Sequence, residues 1–223
     1  MFYIFGITRF NTYRLIDNDF QLGISKKSFT APTKQHVGVH IKEFENIEPS
    51  STTIQIKSRP WNSQEDKTFW SKYGICCTTL NKFNVKPASN VWVNGNLIVS
   101  SNKYNPIYAY DFGEGKVKIY QPYSKFKWLS NTNVSDLQGL SQLPKSGDTL
   151  VITKSLKDVM CLNIAGYHSI ALQSEMQIPE EKLISELENR FTTIDILYDN
   201  DFDKVSNPGQ TMAAKICDLY GFK

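Results

Sequence analysis

Thr193-Ile194-Asp195-Ile196-Leu197-Tyr198-Asp199-Asn200-Asp201 places two carboxylates, two residues apart, directly after an apolar run. The run is short, partly β-branched and bounded by polar residues, so it reads as a buried strand. Alternation along a strand aims Asp199 and Asp201 the same way. In an open α/β sheet, ligands bind outside the carboxyl ends of the strands. Two neighbouring carboxylates repel each other unless a cation neutralises them. Magnesium suits that role, because it is hard and prefers oxygen ligands while keeping several waters. The plainer reading is a pair of solvated loop aspartates that begin a turn toward Asn207-Pro208-Gly209.

Upstream of this stretch the chain alternates between strand and helix. Asp148-Thr149-Leu150-Val151-Ile152-Thr153 reads as a strand. Ser155 to Ala165 follows at near-helical spacing, with Gly166 as its C-cap. His168 to Leu172 is a second strand, and Pro179 is expected to open the next helix ahead of Glu180 and Glu181. After the strand that ends at Asp199, Pro208 starts a helix that Gly221 stops. This alternation implies a mostly parallel sheet with right-handed crossovers. A fourth strand would be due where the sequence ends, so it is either missing or supplied by another chain.

The preceding segment follows a different pattern. Val91-Trp92-Val93 and Leu97-Ile98-Val99 flank Asn94-Gly95-Asn96, the signature of a hairpin. Ile107 to Phe112 and Lys116 to Tyr120 flank Gly113-Glu114-Gly115 as a second hairpin. Between Trp70 and Phe83 the pattern predicts a short helical piece, a turn at Gly74 and a helix from about Thr78. Residues 1–60 show no strong period and read as poorly structured or linker-like, with a linker near Glu48-Pro49-Ser50-Ser51. Three regions are therefore expected: 1–60, a basic α+β lobe of short antiparallel strands and helices over 61–147, and an α/β domain over 148–223.

Charge follows the same division. Residues 1–147 hold 18 basic against 10 acidic side chains, a net +8, whereas 148–223 hold 7 against 12, a net −5. A basic front and an acidic back fit a polyanion held beside a metal site, although two domains can also differ in charge by chance. No apolar run approaches the roughly 18 residues that a membrane span needs. The N-terminus lacks a basic region and a cleavage site, so a cytoplasmic protein with no membrane association is expected. The four cysteines form no C-x-x-C pair and the three histidines complete no zinc pattern.

These pieces, in this order, resemble a known family. Val151-Ile152-Thr153-Lys154-Ser155-Leu156-Lys157-Asp158, then a helix, a strand and Tyr198-Asp199-Asn200-Asp201, resemble a Toprim domain. That fold is shared by bacterial-type primases, type IA and type II topoisomerases and some nucleases. Lys125-Phe126-Lys127-Trp128-Leu129-Ser130-Asn131 is similar to the Lys-Tyr-Leu-Asn-Ser segment of bacterial-type primases. Asp136-Leu137-Gln138-Gly139-Leu140 resembles the Leu-Tyr-Gly-Leu that follows it there. Trp70 to Gly74, with Leu80 and Phe83, looks like the start of the primase RNA-polymerase core, and Ile16 to Leu22 weakly extends the likeness. Phage-encoded primases and primase–helicases are the members it resembles most.

The resemblance implies DNA-templated joining of ribonucleoside triphosphates with Mg2+ or Mn2+ as cofactor. Asp199 and Asp201 would hold the metal. Lys118, Lys125 and Lys127 would face nucleotide or nucleic acid, with Trp128 and Asn131 in the same segment and Tyr120 and Tyr123 as neighbours able to stack on a base. One departure is sharp. The family motif runs Glu-Gly-x-x-Asp, and here Lys154 stands at the Glu position while Asp158 is kept. Catalysis could be lost, Lys154 could contact a phosphate, or Glu175 could supply the missing carboxylate from the neighbouring strand. Asp158 has a plainer role as well, as a carboxylate on a helix's first turn. The family's zinc ribbon and helicase modules are also not seen, so a separate zinc-binding template reader or a replicative helicase is the expected partner. Two rival readings are a catalytically impaired nucleic-acid or replisome binding module and a Toprim nuclease. The Lys125 to Asn131 segment would be idle in the latter.

Overall fold

The structure, a computed structural model, describes residues 52–200 and 207–222. The expectations for residues 1–51, including Ile16 to Leu22, and for Asp201 lie outside the described residues. The described residues belong to one compact unit.

The strands follow from alternation and turn chemistry. β1 (Ile54–Ser58), β2 (Val85–Val93), β3 (Asn96–Ser100), β4 (Ile107–Gly113), β5 (Lys116–Tyr120) and β6 (Trp128–Ser130) make an antiparallel sheet in the order β1-β2-β4-β5-β6, with β3 also on β2. Both expected hairpins form. Asn94 and Gly95 carry the φ values of 49° and 79° that a two-residue turn between right-twisted strands requires. β1 corrects the reading of residues 54–60 as linker. The alternation Ile54-Gln55-Ile56-Lys57 is too short to decide by itself, but pairing with β2 buries Ile54. Two helices lie between β1 and β2. α1 (Gln64–Ser71) starts earlier than Trp70, because Ser63 caps it by accepting from Asp66 N at 3.1 Å, and α2 spans Cys77–Lys82.

Strands β7 (Gly147–Thr153), β8 (His168–Ala171) and β9 (Phe191–Leu197) form a parallel sheet in the order β8-β7-β9. Helix α3 (Leu156–Ile164) connects β7 to β8, α4 (Glu181–Glu188) connects β8 to β9, and α5 (Pro208–Tyr220) follows β9. Ser155 caps α3. Pro179 does not open α4: the N-cap is Glu180, and the Pro179 carbonyl accepts the Tyr220 hydroxyl at 2.5 Å. Among the described residues, no helix is long and apolar enough to cross a membrane.

The two sheets share an apolar core. One cluster joins Phe69, Trp70, Leu80, Tyr108 and Tyr110 to Leu156, Val159, Met160 and Ala171 from the α/β part. Gln138 stitches the seam. Its backbone exchanges hydrogen bonds with Ala171 at 2.8 and 2.9 Å, while its buried amide donates to Leu172 O and accepts from Leu156 N. A buried amide this fully partnered fixes how β8 and α3 sit against the segment before β7.

Candidate active site at the edge of the parallel sheet

Register brings the candidate residues together. Thr153 pairs with both Leu197 and Ala171, so the three parallel strands end side by side. Lys154, Tyr198-Asp199 and Leu172-Gln173 leave the same edge. Thr153 Oγ1 donates to Leu197 O at 2.9 Å and holds the β7 and β9 ends together. Gly209, at the start of α5, packs on the Asp199 backbone, and a Cβ built there would collide with the Asp199 carbonyl oxygen. Asn207 Nδ2 also donates to Asn200 Oδ1 at 2.9 Å. The chain after β9 is thus pinned by the helix that follows it.

Lys154 and Asp199 form an ion pair across this edge, with side chains 30% and 50% exposed. The lysine at the position of the family Glu therefore neutralises one of the two sequence-predicted aspartates. Glu175 lies on the loop after β8. Burial, and then the nearby Glu175 carboxylate, push the Tyr198 phenol up to about 12. Tyr198 Oη is buried and has no hydrogen-bond partner among the described residues. Glu175 is thus close enough for its charge to be felt at Tyr198. Asp158 accepts from Ser155 Oγ at 2.6 Å and donates its backbone N–H to the same oxygen, so it forms part of the α3 cap.

Among the described residues, no group of three His, Cys, Asp or Glu side chains could hold a metal ion. With Asp199 already balanced by Lys154, the described residues do not fit the divalent-metal centre that the resemblance implies.

The cations and aromatics of the antiparallel sheet are not gathered into one patch. Lys118, on β5, is only 8% exposed. It donates to Gln173 O at 2.9 Å and to Gln173 Oε1 at 3.1 Å, and its Nζ lies 4.9 Å from the Trp128 ring centre. Burial pulls its pKa down to about 8. Trp128 stacks on Tyr120 at 4.4 Å. Lys125 and Lys127 are exposed on the turn between β5 and β6, beside exposed Tyr123 and Phe126. The Asn131 amide accepts from Val117 N at 2.7 Å and donates to Thr52 O and Gly115 O. Asn131 thus ties the β5 end to its surroundings. Gln173 and Gln138 carry much of this geometry, and no local sequence signal marks either, because glutamines with these roles are set by contacts far along the chain.

A cleft of about 280 Å3 lies along the seam, lined by residues that include Tyr110, Asp136, Gln138 and Leu156. None of Lys154, Glu175 and Asp199 lines it.

No protein-family model and no curated protein matches the sequence. Solved structures do match. The DnaG primase catalytic domain bound to single-stranded DNA aligns with a TM-score of 0.50 at 14% identity, over 70% of this chain and 60% of that one. The DnaG catalytic core aligns with a TM-score of 0.51 at 14% identity, over 69% and 59%. The primase fragment of the bacteriophage T7 primase–helicase protein aligns with a TM-score of 0.48 at 19% identity, over 67% and 58%. The chain spans about three fifths of the length of these proteins. Antiparallel sheet, seam and parallel sheet together give this chain the fold seen in the DnaG primase catalytic core.

Proposed function

We propose that this chain is a DNA primase core, which joins ribonucleoside triphosphates into short RNA on a DNA template during DNA replication, in a phage setting. The observation that carries the reading is the convergence of Lys154, Asp199 and the Glu175 loop at the carboxyl edge of the parallel sheet in a fold shared with DnaG catalytic cores. Ligands bind at such edges. Released from Asp199, Lys154 would supply positive charge where phosphates would lie. Lys125, Lys127 and Tyr123, on the exposed turn of the antiparallel sheet, offer charge and a stacking face to a single strand. Magnesium or manganese binding would require Asp199 to be released from Lys154 and joined by Asp201 and Glu175.

The Lys154–Asp199 ion pair favours a second reading, in which the fold is kept to bind nucleic acid or a replication partner without chemistry. Two measurements separate the readings: primer synthesis on single-stranded DNA, and calorimetric titration of magnesium or manganese. Each compares the wild type with Asp199→Ala/Asp201→Ala and with Glu175→Ala. Metal binding lost in the double variant and weakened by Glu175→Ala, together with labelled primers from the wild type, supports the primase. Tight DNA binding with neither metal binding nor primers sinks it in favour of the binding module.

A further inference from the structure

Lys118 links the two sheets at a place that matters for the acidic edge. It sits mid-strand on β5, opposite Tyr110 of β4 and Ser130 of β6. Its ammonium leaves the antiparallel sheet and meets both the backbone carbonyl and the side-chain oxygen of Gln173, two residues before Glu175. Gln173 is held from other sides as well. Its amide donates to Asp136 O, and its backbone N–H donates to Gln177 Oε1 at 3.2 Å. Gln177 in turn donates to Val134 O at 2.9 Å. The loop after β8 is thus clasped by Lys118 and the segment 134–136, and Lys118 is the only charged donor among these contacts. A charge-assisted donor that meets two acceptors of one residue restricts that residue more than a neutral contact does. Keeping a lysine almost fully out of water is costly, so a hydrophobic residue would serve packing alone at lower cost.

We infer that Lys118 is a positioning residue: through Gln173 it sets the loop that carries Glu175 at the carboxyl edge of the parallel sheet. This inference rests on the proposed primase reading for its consequence in catalysis, but not for the positioning itself. The Lys118 ammonium contacts Gln173 and the Trp128 ring. It also ties the Trp128–Tyr120 stack of the antiparallel sheet to the parallel-sheet edge.

The test compares the full chain with Lys118→Met, Lys118→Arg and Gln173→Ala. Amide hydrogen exchange across residues 172–178 is read against β7 as the internal reference. Lys118→Met is expected to speed exchange in 172–178 at least tenfold while β7 stays protected, and Lys118→Arg is expected to restore protection. Unchanged loop exchange in Lys118→Met overturns the inference. Loss of protection in β7 as well would make Lys118 a general stabiliser, and that also overturns it. Primer synthesis adds a second readout. The kcat of Lys118→Met should fall about tenfold or more with KM little changed, because misplacement near reacting groups costs rate. The same loss should not add to that of Glu175→Gln, since both act through one loop. Additive losses overturn the inference. A wild type that makes no primers, yet shows the exchange pattern, refutes the primase reading and leaves the positioning role standing.

Discussion

Lys118 on the antiparallel sheet and Lys154 on the parallel sheet are both lysines next to candidate site residues, yet they solve opposite problems. Lys118 is almost fully buried, faces neutral oxygens, and is drawn toward its neutral form. Lys154 is partly in water and answers a carboxylate. The difference shows that the position of a lysine in this sequence says little about its work. Burial decides whether the charge is a structural strain or a counter-ion.

Four changes sharpen or break that contrast, taken in order of their expected effect on stability. The largest concerns the seam that brings the two regions together. Gln138→Leu leaves Leu172 O and Leu156 N without their side-chain partner in a buried place. A loss of about 3 kcal/mol is expected in urea unfolding. A loss below the error of the fit would mean that the seam relaxes and that the apolar cluster alone holds it.

Gly209→Ala is next. The new Cβ meets the Asp199 backbone, so the chain after β9 must shift. About 2 kcal/mol of destabilisation is expected, with weaker coupling between Lys154 and Asp199. The measurement is the unfolding midpoint of this variant with and without Lys154→Ala.

The third change is a pH dependence. Lys118 has a native pKa of about 8 against its ordinary 10.5. Between those values the unfolded chain holds a proton that the native chain has shed, so stability rises with pH through that window and is flat below it. The rise between pH 8 and 9 is about 1 kcal/mol. It is expected as a difference between wild type and Lys118→Met in unfolding at each pH. Parallel curves for the two proteins would show that the ammonium stays charged in its pocket.

The smallest effect on stability belongs to Lys154. The pair is half exposed and screened by water, so Lys154→Ala should cost less than about 1 kcal/mol. Lys154→Glu restores the family's carboxylate and frees Asp199, and magnesium affinity is expected to rise at least tenfold by calorimetry. Unchanged affinity would indicate that Asp199 is not available to a metal even without the lysine.

Much of the fold is legible without the structure, for local reasons. The β-α-β spacing between Asp148 and Leu197 leaves little choice but parallel strands, and Asn94-Gly95 and Gly113-Glu114-Gly115 announce their hairpins through turn chemistry. The proximity of Lys154 to Asp199 is also foreseeable, since neighbouring parallel strands end together. β1 is not foreseeable, because Ile54 and Ile56 become a strand only by pairing with β2. Nor is the difference between Asn131 and Lys127 within one resembling segment: the first is turned inward onto backbone groups and the second outward to water.

The amino-acid pattern alone settles the kinds and order of the elements, because helix and strand periods, caps and turns are local and each needs only a few neighbouring residues. Which lysine pairs with a carboxylate, which is buried against Gln173, and which glutamine joins the sheets are decided by contacts between residues tens of positions apart. Those contacts exist only once the two sheets share a core, and the low dielectric of that core gives the same side chain a different pKa and a different role.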